Sequence, residues 1–532
     1  MRSEAFDNTY LDSMRRVGDE EVDPLVHRVL AGEAGEQPSG RLRYNLMMDL
    51  ADRIVAAPSL QLVPDSTLNQ HLEQIPGDVR ASFTPMQAPE WVDPHKLELG
   101  ATLWSENRLA MLAVLYAYSL PACYLIEKGI PALYDTAKLR EPRYLFQRIY
   151  ETGLMLEAVM GEGGIRVVED MGEDGTRRRY LWGEGFVTAK KVRFLHASMR
   201  YMLTHRHEEA APGGGESATN VAESLARDAG PWDTDALGVP VNQEDLAYTL
   251  LTFGYALPRG LAHWGAPVEP EQREAFLHLW RVVGHVMGIR DELTTDSWDE
   301  ATRFFDLVKS RQGHRSDQGV ALTRTLIGFL SAYMPSHEAL GRRISALMMM
   351  DQLGEDDARK LLDEDLLTSA KRGDRRALYA FGRGAVRAYY LVRTLVLSRV
   401  PTLGAFLGNL VDGSSEQLLH SWRAEYVRRP FGIPADSEHW KRKAGVDAAF
   451  MARLRAWRRR LFLNLGVAIG ALFVAAFSVL AMLPAGLLEG TSGLKWPGLL
   501  CLVSLLGAVF VMKWRLPAVF DARPQPAPVS TP

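Results

Sequence analysis

The feature that most constrains this chain is an apolar stretch at 461–483, interrupted only by Asn464 and Ser478. At a helical rise of about 1.5 Å per residue, roughly 20 apolar residues match the hydrocarbon thickness of a bilayer. A buried helix of a soluble protein rarely lacks charge for this long. The stretch therefore predicts a transmembrane helix. A second apolar run, 497–512, lies between Trp496 and Trp514, whose indoles favour the membrane interface. Together the two runs predict a C-terminal transmembrane helical hairpin. Gly466 and Gly470 form a Gly-x-x-x-Gly face, which permits close approach of Gly498 and Gly507 or of a second copy of the chain in a homo-oligomer.

The flanks set an expected orientation. Arg453, Arg455, Arg458, Arg459 and Arg460 precede the hairpin and Lys513 and Arg515 follow it, whereas the intervening loop carries only Glu489 and Lys495. Positive charge stays on the cytoplasmic side, so both ends and the large N-terminal body are expected in the cytoplasm, with the hairpin in the cytoplasmic (inner) membrane. The start, 1–7, has no apolar core of a secretory signal. Cys123 and Cys501 are the only cysteines and make no disulfide framework, which suits a reducing compartment. A net charge of -4 with mixed signs leaves no basic footprint for nucleic acid.

The rest is patterned for helices. Apolar residues recur at helical spacing over 109–123, 144–160, 246–255, 271–288, 321–333 and 377–397, so the expected fold class is all-α. The exception is a pair of short β-like runs, 165–168 and 179–182, flanking Gly172-Glu173-Asp174-Gly175, which predict a small hairpin. Pro212-Gly213-Gly214-Gly215 is expected to be a surface loop and not a phosphate cradle, because no strand precedes it. With 532 residues, of which 47% are hydrophobic, the expected division is a helical extension (1–90), a core (91–310), further helices packed on it (311–450), the membrane hairpin (451–515) and a proline-rich disordered tail (516–532).

Two helical stretches carry candidate chemistry. Arg148, Glu151 and Thr152 are spaced to put a guanidinium, a carboxylate and a hydroxyl on one helix face. His196 has Arg193 one turn before it and Arg200 one turn after it, and two nearby cations favour the neutral imidazole that binds a metal. Arg193 and Arg200 are also candidates to neutralise anionic groups of a cofactor. Zinc-protease, zinc-finger and di-iron carboxylate patterns are missing, as is a nucleophile elbow. His278 and His285, seven apart amid apolar residues, are read as buried structural residues, and His205 and His207 as surface ones.

These stretches resemble, in order, the haem-binding segments of the latex-clearing-protein family of rubber oxygenases and the related MpaB-type oxygenases. Trp91-Val92-Asp93, Ser119-Leu120-Pro121, the segment 238–246 and Trp280-Arg281-Val282-Val283-Gly284 before Met287-Gly288 look like further segments of that family, spread over 91–293. The resemblance implies a globin-like helical core binding haem b, with His196 as iron ligand and Arg148 and Thr152 near the haem. It also implies dioxygen as co-substrate and attack on a carbon–carbon double bond of an isoprenoid.

Two departures bear on chemistry. Where the latex enzymes carry a Lys just before the Thr, this chain has Glu151, a residue able to act as a general base if burial raises its pKa. The family's catalytic carboxylate upstream of the Arg has no counterpart at the expected distance, Glu127 lying further back. The expectation is a membrane-anchored, haem-dependent oxygenase with Glu151, Arg148 and Thr152 as catalytic candidates. Its expected substrate is a lipophilic unsaturated molecule reached from the bilayer, not extracellular rubber. The alternative is a non-catalytic membrane haem protein for redox sensing or electron transfer.

Overall fold

The computed structural model describes residues 6–31, most of 44–48, 77–135, 152–171, 176–205, 231–333, 338–371, positions within 377–394 and 452–482, and 494–522. Helices dominate, and their starts follow local chemistry. Asp7 caps α1 (Asn8–Met14) by accepting from the Tyr10 backbone N–H at 2.7 Å, and α2 follows at Asp23–Ala31. Asp93 caps α3 (Pro94–Val114), where Pro94 occupies a first-turn position whose N–H would have no partner in any case. The helical path of α3 continues through a wider turn at Leu115–Ser119 into Leu120–Tyr124, and α4 spans Ile130–Asp135. The periodicity at 109–123 thus marks the end of a longer helix.

Helix α5, 152–160, leads into the predicted hairpin, β2 (Arg166–Met171) and β3 (Arg177–Trp182), with Val167 opposite Leu181. A two-residue strand too short to show in the sequence, β1 (Met86–Gln87), pairs with the other edge of β3, giving the order β1-β3-β2. Directly after β3 comes α6 (Glu184–Thr204), the helix that carries His196. The body continues with α7 (Gln243–Gly254), α8 (Ala256–His263), α9 (Pro270–Val286) and α10 (Trp298–Gln312). α9 lies along α3 over much of its length. Their shared core holds the buried Trp104 and Trp280, with Phe253 stacked on Trp280 at 4.9 Å between ring centres and Tyr248 stacked on Phe305 at the same separation.

A second core joins α11 (Asp317–Tyr333) and α12 (Glu338–Leu353) to Tyr124, Leu125 and Ile130, so these later helices back the segment that includes α4. A third, separate cluster lies at the C-terminus. There α13 (Lys495–Phe510) continues to Asp521, and Ala508, Met512 and Leu516 pack on Trp457, Leu461 and Ala468. The Trp457 indole N–H donates to the Val519 carbonyl at 2.6 Å, and a Cβ on Gly498 would meet the Met482 methyl at 3.6 Å. Those pairings run the two segments antiparallel. Gly466 and Gly470 play no part in this contact: a Cβ on either would meet nothing within 4 Å, and Ala468 on the neighbouring face makes the approach instead. Leu463, Val467, Leu502, Val503 and Leu506 remain exposed.

The close approach of α5 to the start of α6 depends on Gly185, where an added Cβ would lie 2.6 Å from the Ala158 carbonyl oxygen and 2.7 Å from the Val159 Cα, both backbone atoms. Gly185→Val should therefore push α5 from α6 and cost about 1–3 kcal/mol, the usual scale of overpacking. A chemical-denaturation midpoint unchanged by this substitution would show that the two helices do not need that contact.

Candidate functional site

Helices α4, α5, α6, α7 and α9, the Leu120–Tyr124 stretch and segments that connect them enclose a largely apolar cavity of about 290 Å³, near the lower end of the roughly 300–1,000 Å³ usual for ligand sites. α6 contributes Val192, Leu195, His196 and Met199, a single stripe at i, i+3, i+4 and i+7. α5 contributes Thr152 and Met155, and α7 contributes Asp245, Leu246, Thr249 and Phe253. Cys123, Ile130 and Leu133 close one side, and Trp280, Met287 and Ile289 another. Thr152 and His196, predicted from separate stretches of sequence, thus line one cavity. Arg148 and Glu151 lie outside the described residues.

Among the described lining residues His196 is the sole imidazole and Asp245 the sole carboxylate. The remaining polar groups are mild and partly engaged. The Tyr248 hydroxyl donates to the Ala122 carbonyl at 3.3 Å, and the Cys123 thiol, 3.2 Å from the Thr252 hydroxyl, is pushed up to about 11 by burial. An imidazole nitrogen on an otherwise apolar wall could hold the metal of a flat, mostly apolar cofactor. No cluster of three His, Cys, Asp or Glu residues suited to a bare metal ion occurs among the described residues.

Arg193 and Arg200 require a correction. Both are buried, but neither lines the cavity, because their positions on α6 turn them toward the N-terminal segment. The Arg193 guanidinium grips Asp19 with two bonds, Nε to Oδ2 at 2.6 Å and Nη2 to Oδ1 at 2.8 Å, and adds Glu21 at 2.7 Å. Arg200 donates to both oxygens of Asp23 at 2.8 and 2.9 Å and to the Val241 carbonyl at 2.8 Å. Burial pushes the Asp19 carboxyl up, but the hydrogen bonds and charge of Arg193 outweigh it and hold the group below its ordinary value. In this structure protein carboxylates meet these two charges.

A parallel arrangement supports α7. Arg15 Nη1 lies 2.8 Å from Asp245 Oδ1 and 3.3 Å from Glu244 Oε2, while Asn242 donates to the other Asp245 oxygen at 2.8 Å. Burial raises the Glu244 carboxyl above its ordinary range despite Arg15 and Arg311 nearby. Just before this helix, the cavity-lining Val241 holds φ at 51°, a left-handed conformation that costs a β-branched residue energy. Asp245 and the strained Val241 were not singled out from the sequence, although both fall within the 238–246 segment. The signal for Asp245 was an acid amid helix-stripe apolar residues, and its counter-ion lies 230 residues away. His278 and His285, expected to be buried structural residues, are only half-buried. His278 Nε2 accepts from the Asp93 backbone N–H at 3.0 Å and its pKa falls to about 4, chiefly through burial, while His285 Nδ1 lies 2.9 Å from Asp291.

The class this site defines is that of the family described as the catalytic domain of the ER-bound oxygenase mpaB/B' and rubber oxygenase, whose model matches residues 145–456. The chain belongs to this family. A similar protein is the rubber oxygenase of Streptomyces sp. (strain K30), 26% identical over 318 residues, which covers 59% of this chain and 64% of that relative's length. Among solved structures, that of latex clearing protein in the closed state aligns with a TM-score of 0.42 and 20% identity, covering 74% of this chain and 84% of that one.

Proposed function

We propose that this protein is a membrane-anchored, haem b-dependent oxygenase that uses dioxygen to cleave a carbon–carbon double bond of a lipophilic isoprenoid or lipid. The observation that carries this reading is one imidazole of the family-matched region, His196, on the wall of an apolar cavity. His196 would hold the iron. Haem bound there would supply the dioxygen activation that no amino-acid side chain offers. The walls formed by Leu195, Met199, Leu246 and Trp280 would exclude water and favour an alkenyl chain over a polar competitor. Thr152 offers a hydroxyl on the same wall, able to donate to or accept from a polar atom of a bound group. Arg148 and Glu151, close to Thr152 in sequence, complete the proposed catalytic set. Glu151 would take the allylic proton.

Membrane attachment is supported by the helix Lys495–Asp521, whose most apolar 18-residue window is only 28% buried, unlike the core helix of a soluble protein. Its antiparallel partner segment, packed through Trp457, Leu461 and Ala468, supports a two-helix anchor. At the end where Trp457 meets Val519, Arg459, Arg460, Lys513 and Arg515 are exposed, as a cytoplasmic flank requires. A non-catalytic redox haem protein is the second reading, favoured by Glu151 standing where the latex enzymes have an amine.

His196→Ala should leave the chain folded but abolish stable haem incorporation; an unaltered Soret band in that variant would sink the ligand assignment. Glu151→Gln should keep the haem spectrum yet lower turnover of a prenyl or polyunsaturated substrate by about a hundredfold or more, the scale of general-base catalysis. Equal turnover at matched haem content would remove the base role. Ready binding of carbon monoxide to the reduced protein favours the oxygenase, whereas a six-coordinate haem closed to ligands favours electron transfer. Ending the chain before Arg453 should release a soluble protein that still takes up haem, and failure to do so even in detergent would contradict a separable anchor.

A further inference from the structure

The segment 8–31 lies outside the family-matched residues 145–456, yet it supplies counter-ions to both walls of the cavity. Asp19 and Asp23 hold Arg193 and Arg200, which stand three residues before and four after His196 on the same helix. Arg15 holds Asp245, the carboxylate of the opposite wall. The same segment fixes the strained stretch between those walls: the Arg15 carbonyl accepts from the Val239 N–H at 2.8 Å and the Val17 carbonyl from the Gln243 N–H at 3.0 Å. A left-handed Val241 persists only where its surroundings over-determine it. Here the bonds on both sides of it, and the Arg200 bond to its own carbonyl, do so.

We infer that residues 8–31 form a counter-ion strap that positions the cavity walls for the bound cofactor, with Asp19 as its principal positioning residue. This rests on the haem reading only for its cofactor. The mechanical part concerns this chain alone. Arg193 is pinned on three sides: by two bonds from Asp19, by one from Glu21, and by Gly288, where an added Cβ would lie 2.5 Å from Arg193 Nε. Among the described residues, removing the Asp19 charge leaves the buried guanidinium with the solvent-facing Glu21 as its ion partner, so α6 must shift or open to let water reach it. His196 moves with the helix. The strap thereby acts on the site through backbone placement, without touching the cavity.

The test compares full-length wild type, Asp19→Asn, the conservative Asp19→Glu, and Asp363→Asn. The last removes an equally bidentate but surface-exposed partner of Arg324, and neither residue lines the cavity. Hydrogen exchange over 184–204 and 238–246 is measured without added haem, and haem binding is then titrated by the Soret band per folded protein. Asp19→Asn should speed exchange in both segments and weaken haem binding about tenfold or more, as loss of an outer-shell support does. Asp19→Glu should recover most of the affinity, and Asp363→Asn should match wild type. Unchanged exchange in Asp19→Asn, or unchanged haem affinity alongside a merely lower melting temperature, overturns the strap. A wild type that takes up no haem removes the haem reading, and the exchange comparison then decides the strap by itself. If Asp19→Asn does not accumulate, Glu21→Gln, which removes one exposed bond to the same guanidinium, carries the comparison with a smaller change in the same direction.

Discussion

Burying Arg193 is the constraint around which this molecule is arranged. An unpaired guanidinium in a protein interior costs several kcal/mol, and the cost falls only when carboxylates with good geometry accompany it. The helix carrying His196 brings two such cations into the core one turn to either side of the histidine. Neither can be satisfied from within α6. The carboxylates come from a segment more than 170 residues earlier, so the N-terminal stretch completes the fold instead of merely preceding it. The opposite wall repeats the solution with reversed signs: Glu244 and Asp245 begin α7, where a helix N-terminus favours negative charge, and Arg15 answers them from the same N-terminal stretch.

This arrangement divides α6 into faces with separate tasks. One stripe, Val192, Leu195, His196 and Met199, faces the cavity; Phe186, Phe194 and Ala197 enter the main core; Arg193 and Arg200 meet the strap. A helix committed on all of these sides can rotate little without breaking several contacts at once. Packing and charge therefore hold the helix that carries His196, which is the preorganisation that the proposed metal ligand would need. The small sheet serves the same end, since β3 runs through Gly183 directly into the first turn of α6.

The same division explains what the sequence could and could not reveal. Helical spacing made the all-α class and most helices legible, and the Gly-rich turn between two β-like runs located the hairpin with its strands within a few residues. Thr152 and His196 each sit in a distinctive local pattern, and both line the cavity. Arg193 and Arg200 were placed at the cofactor because spacing on a helix reveals which face a charge occupies but not what meets that face. Their partners are non-local, and no local pattern links Asp19 to Arg193. Gly466 and Gly470 show a related limit: small residues permit close approach but do not say which neighbour takes it, and within the chain the partner helix approaches on the Ala468 face.

The proposed anchor fits the proposed substrate through partitioning. A long alkenyl chain is concentrated in the bilayer and scarce in water, at about 0.8 kcal/mol per buried methylene. A dissolved enzyme would therefore depend on extraction, which becomes less favourable with every added isoprene unit. An antiparallel pair whose exposed cations gather where Trp457 meets Val519 would hold that end of the anchor at the headgroups. The chain preceding that end belongs to the family-matched region, which runs to 456, so the catalytic body would be tethered at the headgroup surface by a short connection. Its apolar cavity would then draw on a local pool of substrate without a bulk-water step, and the proposed anchor would raise effective concentration without adding a contact to the cavity itself.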